Sequence, residues 1–335
     1  MSEKKLRFGI IGVGGIAQGH IERLARNPRA EIVAICDPSE KSIAATQEKQ
    51  GAAVAKASVH SDYRKLLDES KPDAVVICSR HCDHFDQIID SLDAGAHVLT
   101  EKPLVNRVSD AYAVLRKAES SGKVVGIAYQ RHTDPHFRYI RKAIASGEFG
   151  KVQAIAALQQ QGWRAGTVGS WRQDPAASGG GQLHDSGSHL VDIILWTTGL
   201  TAETVSARID FRGAPVDINS ALAVQFREGA IGTLTVIGDA KGWYEDITIW
   251  CDNGTFYVRN HDSFSVQNPD GKIVKPDLQA LPRGSDVNTN FIAAIYGEEE
   301  IGAPAICGLR VMELTEAAWR SGEVGGQAIT VEHAG

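Results

Sequence analysis

In "GGGQLHDSGSHLVDIILW", residues 179–196, Asp185, His189 and Asp192 stand at helical spacing in a segment otherwise rich in Leu, Val, Ile and Trp. Residues four apart share one side of a helix, so Asp185 and His189 form a pair able to hold substrate hydroxyls, with an imidazole that titrates near neutrality as proton acceptor. "HVLTEKPL" ends an apolar run with Glu101, Lys102 and Pro103. An ammonium at Lys102 could hydrogen-bond a hydroxyl and stabilise the alkoxide left as hydride departs. Each has a plainer competing reading: Asp185 as a helix N-cap, His189 as a satisfied core histidine, Lys102 as a surface lysine beside a turn proline. Asp192 extends the polar side or bonds a neighbouring backbone group, and it stays outside the catalytic set.

A second constellation opens the chain. "FGIIGVGGIAQGH" sets Gly12, Gly14 and Ala17 as G-x-G-x-x-A between an apolar run and a helical stretch. Gly12, Gly14, Gly15 and Ile16 would let a pyrophosphate approach the free N–H groups that begin the helix. Asp37, ending the next apolar run in "AICDPSE", can accept hydrogen bonds from an adenosine ribose and would repel a 2′-phosphate, which favours NAD over NADP. The competing reading makes Asp37 the start of an Asp-Pro turn, with Lys41 softening the repulsion.

The elements needed to position these groups follow from the apolar pattern. "LRFGII", "EIVAIC", "AVVICS", "HVLTEK" and "KVVGIAY" read as parallel strands buried on both faces, separated by helical stretches at 15–26, 39–50, 61–68, 84–94 and 108–121. That alternation predicts an N-terminal Rossmann domain, a doubly wound parallel sheet, over residues 1–126. After a helix near 135–146, strands at 151–161, 203–211, 219–227, 230–238, 246–250 and 254–259 follow with few helices between them. They predict a C-terminal α+β domain, 127–335, with an open, mainly antiparallel sheet for substrate binding and oligomerisation. Helices are expected at 287–297 and 308–321, the latter able to pack back on the first domain, with a final strand in "AITVE".

Composition narrows the partners. The 335 residues carry a formal charge of −6 and no basic run interleaved with aromatics, which argues against nucleic acid or an anionic membrane. No apolar stretch reaches the roughly 18 residues of a membrane helix. The opening residues read as mature sequence, and Cys36, Cys78, Cys82, Cys251 and Cys307 read as reduced thiols, so a cytoplasmic location is expected. A metal reading of Cys78, His81, Cys82 and His84 fits no familiar spacing, and no metal is expected. The loop "QGWRAGTVGSWRQDPAASGGG" offers Trp163, Arg164, Trp171 and Arg172 for stacking on sugar faces and donating to hydroxyls or carboxylates, although packing on a neighbouring subunit would suit it almost as well. Arg131 and His132 follow the fifth strand as a substrate contact or a structural ion pair.

Taken in order, G-x-G-x-x-A with Asp37, "HVLTEKP", Arg131-x-x-x-Pro135 and "GGGQLHDSGSHLVD" resemble the glucose-fructose oxidoreductase and inositol dehydrogenase family, Gfo/Idh/MocA. The resemblance spans essentially the whole chain. It implies a Rossmann domain followed by an α/β domain whose open sheet supports a homodimer or homotetramer. It also implies Lys102, Asp185 and His189 as the catalytic set, with Ser79, His84 and Glu101 near the cofactor. One segment departs from the pattern: Arg80 stands where proline is usual and His81 where asparagine is usual. The resulting expectation is an NAD-dependent dehydrogenase acting on a secondary hydroxyl of a sugar, sugar derivative or cyclitol. The alternatives are a redox-neutral glycosidase or lyase working through transient ring oxidation, to which His132 and His184 could contribute, and a non-catalytic NAD/sugar sensor.

Overall fold

The computed structural model describes residues 4–260, 263–281 and 283–333, and the chain divides into two compact units, residues 1–130 with 285–308 and residues 131–284 with 309–335.

In the first unit the short apolar runs become six parallel strands: β1 Leu6–Ile11, β2 Ala30–Cys36, β3 Ser58–His60, β4 Ala74–Ile77, β5 His97–Thr100 and β6 Val125–Ile127. Their order is β3-β2-β1-β4-β5-β6, so the strand order reverses between β1 and β4, where ligands of such sheets bind beyond the carboxyl ends. Val75, Val76 and Ile77 have no exposure at all, as befits strands covered on both faces. Helices Ala17–Arg26, Glu40–Gln50, His81–Asp93 and Val108–Ser121 supply the cover. Five of the six strands are legible as apolar runs. The sixth, β3, is three residues long with two exposed, too short and too polar to register. The reading that closes this unit near residue 126 is extended by the structure, because helix Val287–Ile295 belongs to it. Phe291 and Ile292 share one apolar cluster with Phe8, Ile10, Ile21 and Leu24.

The second unit carries nine strands: β7 Val152–Gln160, β8 Ala202–Asp210, β9 Asn219–Phe226, β10 Ile231–Ile237, β11 Tyr244–Cys251, β12 Gly254–Arg259, β13 Ser263–Gln267, β14 Ile273–Val274 and β15 Ile329–Thr330. Their order is β14-β13-β12-β11-β7-β10-β9-β8-β15, antiparallel at every pairing except β7 with β10. Buried and exposed residues alternate along β9 and β10, so one face holds the core and the other stays open. Helix Ser188–Thr198 lies on the core side, against β7 and helix Pro135–Ala145. It begins later than the spacing suggested: residues 182–187 form a continuous turn. Among the described residues no helix is long and apolar enough to cross a membrane.

Candidate active site

The glycine turn after β1 is dictated by steric space. Gly12 has φ +82°, and a Cβ there would sit 2.7 Å from the Cys78 and Ser79 backbone, so only glycine allows the ends of β1 and β4 to approach. At Gly14 and Gly15 a Cβ would meet nothing within 4 Å, which leaves that side of the turn open to a ligand. Helix Ala17–Arg26 begins with no side-chain cap and no acidic residue in its first turn, so its positive end is unscreened. The Asp37 carboxylate accepts the Val13 N–H at 2.9 Å through Oδ2 and the Ser39 N–H at 2.9 Å through Oδ1. It therefore fixes the glycine turn while each oxygen keeps acceptor capacity for a ribose hydroxyl. The Asp-Pro turn reading and the ribose reading are compatible in this arrangement.

The ends of β1, β4 and β5 are kept level by backbone bonds: Cys78 N–H donates to Ile11 O at 2.7 Å and Glu101 N–H to Ile77 O at 2.8 Å. Lys102 thus follows β5 at the same end of the sheet as the glycine turn, joined to Pro103 by a cis bond. Ser79 Oγ donates to Gln87 Oε1 at 2.6 Å. His84 is fully buried, with Nδ1 2.9 Å from Pro103 O and Nε2 3.4 Å from Ser79 O, and burial pushes its pKa down. In its neutral form the proton sits best on Nδ1, bonding Pro103. Ser79 and His84 thus tie the segment after β4 to the E-K-P segment. The unusual Arg80 and His81 begin the next helix: Arg80 pairs with Asp83 at 3.0 Å and His81 is buried edge-on to His84. Two further residues act here that no sequence motif signals. His20 Nε2 lies 3.1 Å from Glu101 Oε1 and His20 Nδ1 lies 3.0 Å from Asn288 Oδ1, across 268 positions of chain.

In the second unit Asp217 shapes the approach to the helix. Its buried carboxylate accepts the Gly181 and Leu183 N–H groups, each at 2.8 Å, and Trp319 Nε1–H at 3.1 Å. Burial pushes its pKa up, and the two backbone donors and the indole oppose the rise. Gly180 lies under the Trp319 ring, where a Cβ would be 2.4 Å from the ring carbons. The turn so held presents Asp185, whose Oδ2 accepts Trp163 Nε1–H at 2.9 Å and Arg172 Nε–H at 3.1 Å, with the Arg172 guanidinium 4.6 Å over the Trp171 ring. Asp185 lies in the turn before the helix, not on one helical face with His189 as the spacing implied. His189 is half-buried in the first turn of helix Ser188–Thr198. Trp163→Phe should lower stability by about 2 kcal/mol or more, because it removes a buried N–H bond to a carboxylate together with part of the indole's packing. Thermal unfolding reads this directly, and an unchanged midpoint would show that the bond carries no weight.

Not every member of the predicted substrate loop joins this group. Trp163, Trp171 and Arg172 gather at Asp185, whereas Arg164 pairs with Asp239 at 3.2 Å, an acid also held by Arg212 at 3.1 Å. Arg131 forms a buried pair with Glu245 at 2.7 Å, the structural ion pair that competed with substrate contact in the sequence. Asp192 has a partner as well: its Oδ2 lies 2.8 Å from His132 Nε2, both residues are buried, and His132 stacks on Trp196 at 4.2 Å. Burial pushes the Asp192 carboxyl up while His132 and Arg131 oppose the rise. His184, fully buried, packs against Trp319 at 5.5 Å.

Comparison with known proteins agrees with this architecture. The family described as "Oxidoreductase family, NAD-binding Rossmann fold" matches residues 6–129, and the GFO/IDH/MocA C-terminal domain matches residues 137–257. The D-glucoside 3-dehydrogenase of Escherichia coli (strain K12) is 30% identical over 205 residues, 60% of this chain and 56% of that enzyme. The inositol 2-dehydrogenase of Rhizobium meliloti (strain 1021) is 26% identical over 339 residues, 94% of this chain and 96% of that one. Among solved structures, the WlbA dehydrogenase of Bordetella pertussis, in complex with NADH and UDP-GlcNAcA, superposes with TM-score 0.86 at 25% identity, covering 100% of both chains. With its two halves matched in the family's own order, the chain belongs to the Gfo/Idh/MocA family of NAD-binding oxidoreductases.

Proposed function

We propose that the protein is an NAD-dependent dehydrogenase that oxidises a secondary hydroxyl of a sugar, sugar derivative or cyclitol. The observation that carries this reading is Lys102, placed two residues beyond the β5 end, at the same end of the sheet as the glycine turn that Asp37 fixes. The open faces of Gly14 and Gly15, the uncapped helix start and the Asp37 carboxylate fit a dinucleotide. When bound, NAD supplies the nicotinamide carbon that accepts hydride. Lys102 donates a hydrogen bond to the reacting oxygen and stabilises its developing negative charge. His189 takes the hydroxyl proton on a ring nitrogen. Asp185, anchored by Trp163 and Arg172, supplies acceptor oxygens for substrate hydroxyls, and Trp171 supplies an apolar plate.

Known relatives point the same way by substrate, being named for glucosides and inositols. The redox-neutral alternative would draw on His132, which is bonded to Asp192, and on His184, which is enclosed beside Trp319; release of aglycone without net NADH formation would favour it. A homodimer or homotetramer would use the open sheet face, where Ile231 and Trp250 stand exposed among Ala154, Ala156 and Thr233. Light scattering reads that state.

The direct test is to supply NAD with a panel of sugars and cyclitols and follow the absorbance of the reduced cofactor. Substrate-dependent absorbance is expected. NADH binding with no turnover across the panel would overturn the dehydrogenase reading. Asp37→Asn keeps an acceptor oxygen for the turn and removes the charge that repels a 2′-phosphate, so discrimination between NAD and NADP should narrow about tenfold. Paired dissociation constants check this, and an unchanged ratio would remove Asp37 from cofactor selection.

A further inference from the structure

His20 sits on helix Ala17–Arg26, 1% exposed, with both ring nitrogens aimed at oxygen atoms. On the Nδ1 side the partner is Asn288 Oδ1, and the identity of that atom is settled by a third residue. Arg23 Nε–H donates to the same atom at 2.7 Å. The opposite amide orientation would set an N–H against a guanidinium N–H at that distance, so Oδ1 is an acceptor and His20 Nδ1 must carry a proton. On the Nε2 side the partner is Glu101. Burial raises the Glu101 pKa, but the bond from His20, its charge, and the charge and backbone N–H of Lys102 outweigh burial and leave it below the ordinary carboxyl range. With Nδ1 protonated, one proton must also lie between Nε2 and Oε1; it belongs on the imidazole, the stronger base of the two, and the backbone N–H of Lys102 favours the carboxylate form of Glu101. A neutral imidazole has one N–H and would point a lone pair at one of these oxygens.

We infer that His20 is held as the imidazolium cation and acts as a positioning residue, orienting Glu101 and, through it, the backbone at Lys102. Glu101 Oε2 accepts the Lys102 N–H at 3.2 Å, so a single carboxylate joins the buried cation to the backbone of Lys102. Among the described residues, the charged and titratable groups near this pair are the following. Arg23 lies on the same helix and leans toward Asp286 at 3.7 Å, Lys102 follows Glu101, and Cys78 and His84 lie within electrostatic reach of Glu101. Asn288, at the start of helix Val287–Ile295, completes the cage. The chemistry of this arrangement is a salt bridge in which neither partner is well placed without the other, because removing the imidazolium leaves an enclosed carboxylate without its counter-charge. The positioning role rests on the proposed reading that this strand end holds the cofactor, whereas the charge of His20 does not.

Two measurements on the full chain test the inference. With ¹⁵N-histidine and no cofactor, both His20 ring nitrogens should show protonated shifts at about pH 8. The resonances are identified by their loss in H20Q or, should that chain fail to fold, in H20N. One protonated and one bare nitrogen would overturn the assignment. The second measurement is an NADH-binding cycle by cofactor fluorescence over H20Q, E101Q and the double variant. Each single change should weaken NADH about tenfold and the double no further, which is a coupling of about 1.4 kcal/mol. Weakening that multiplies to about a hundredfold, or no effect of H20Q, would show that His20 does not act through Glu101. A protein that binds NADH and oxidises no sugar fails the dehydrogenase reading and leaves both measurements intact. One that binds no NADH removes the positioning role, and the ring-nitrogen signal still decides the charge.

Discussion

Lys102→Ala should lower the turnover of any sugar or cyclitol substrate by about two to three orders of magnitude, the usual loss when one donor to a developing oxyanion is removed. The side chain being removed follows β5 in the half-exposed row after Thr100, and the fold around it is carried by other bonds. Glu101 N–H still reaches Ile77 O, and His84 still reaches the Pro103 carbonyl. Thermal stability should therefore stay close to wild type, and NADH should still bind. The comparison separates chemistry from structure: the rate collapses while the unfolding midpoint does not. A Lys102→Ala protein with wild-type turnover would sink the catalytic role, and a wild-type protein with tight NADH binding and no reaction on any sugar would favour the sensor.

Gly181→Ala should be the most damaging single change in the second unit. The added Cβ would lie 1.9 Å from Asp217 O and 2.7 Å from two further Asp217 backbone atoms, none of which can swing aside like a side chain. Asp217 also binds the Gly181 and Leu183 N–H groups, and Gln182 N–H donates to the Asp217 carbonyl at 2.8 Å, so moving either segment of this contact breaks several buried bonds together. A loss above about 4 kcal/mol is expected, at the level reserved for core overpacking and broken polar networks. For a unit of this size that corresponds to a fall in melting temperature of about 8–16 °C, or no folded protein. Gly14→Ala is the informative contrast. Its Cβ meets nothing within 4 Å, so stability should hold while NADH affinity falls as the methyl group occupies the ligand's side of the turn. If Gly181→Ala melts like wild type, the Asp217 clamp is not the rigid support described for Asp185.

The two glycine positions also show why parts of the site were legible and others were not. The turn at Gly12 and Gly14 and the strand-end Lys102 are local signals, since their roles depend on a few residues between a strand and its helix. The parallel strands read well for the same reason, being short apolar runs whose neighbours in the chain punctuate them. Asp192 was opaque because its partner, His132, lies sixty positions upstream, a distance that no helical or strand period spans. Asp217 carries no local pattern, because its backbone donors lie 36 and 34 positions upstream at Gly181 and Leu183. Glu245 did leave a trace: on the alternation of β11 it falls on the inward face with Ile247 and Ile249, so a buried cation had to answer it, and Arg131 does. The displaced helix start has a physical cause too. "DSGSH" is poor helix sequence, and the Asp217 clamp holds the backbone at 181 and 183 before the helix can begin.

Residues 285–308 complete the unit begun by residues 1–130. Until Phe291 and Ile292 are made, the apolar side of helix Ala17–Arg26, with Ile21 and Leu24, and Phe8 of β1 lack part of their cover. The nucleotide-binding half cannot mature as an early product of translation, because contacts separated by more than 260 positions close its core and supply Asn288 to His20. A nascent chain stopped at residue 284 would hold every strand of the Rossmann sheet and still expose a sticky flank. The same closure means that the imidazole beside Glu101 receives its second acceptor only after the whole of the nine-stranded sheet except β15 has been synthesised.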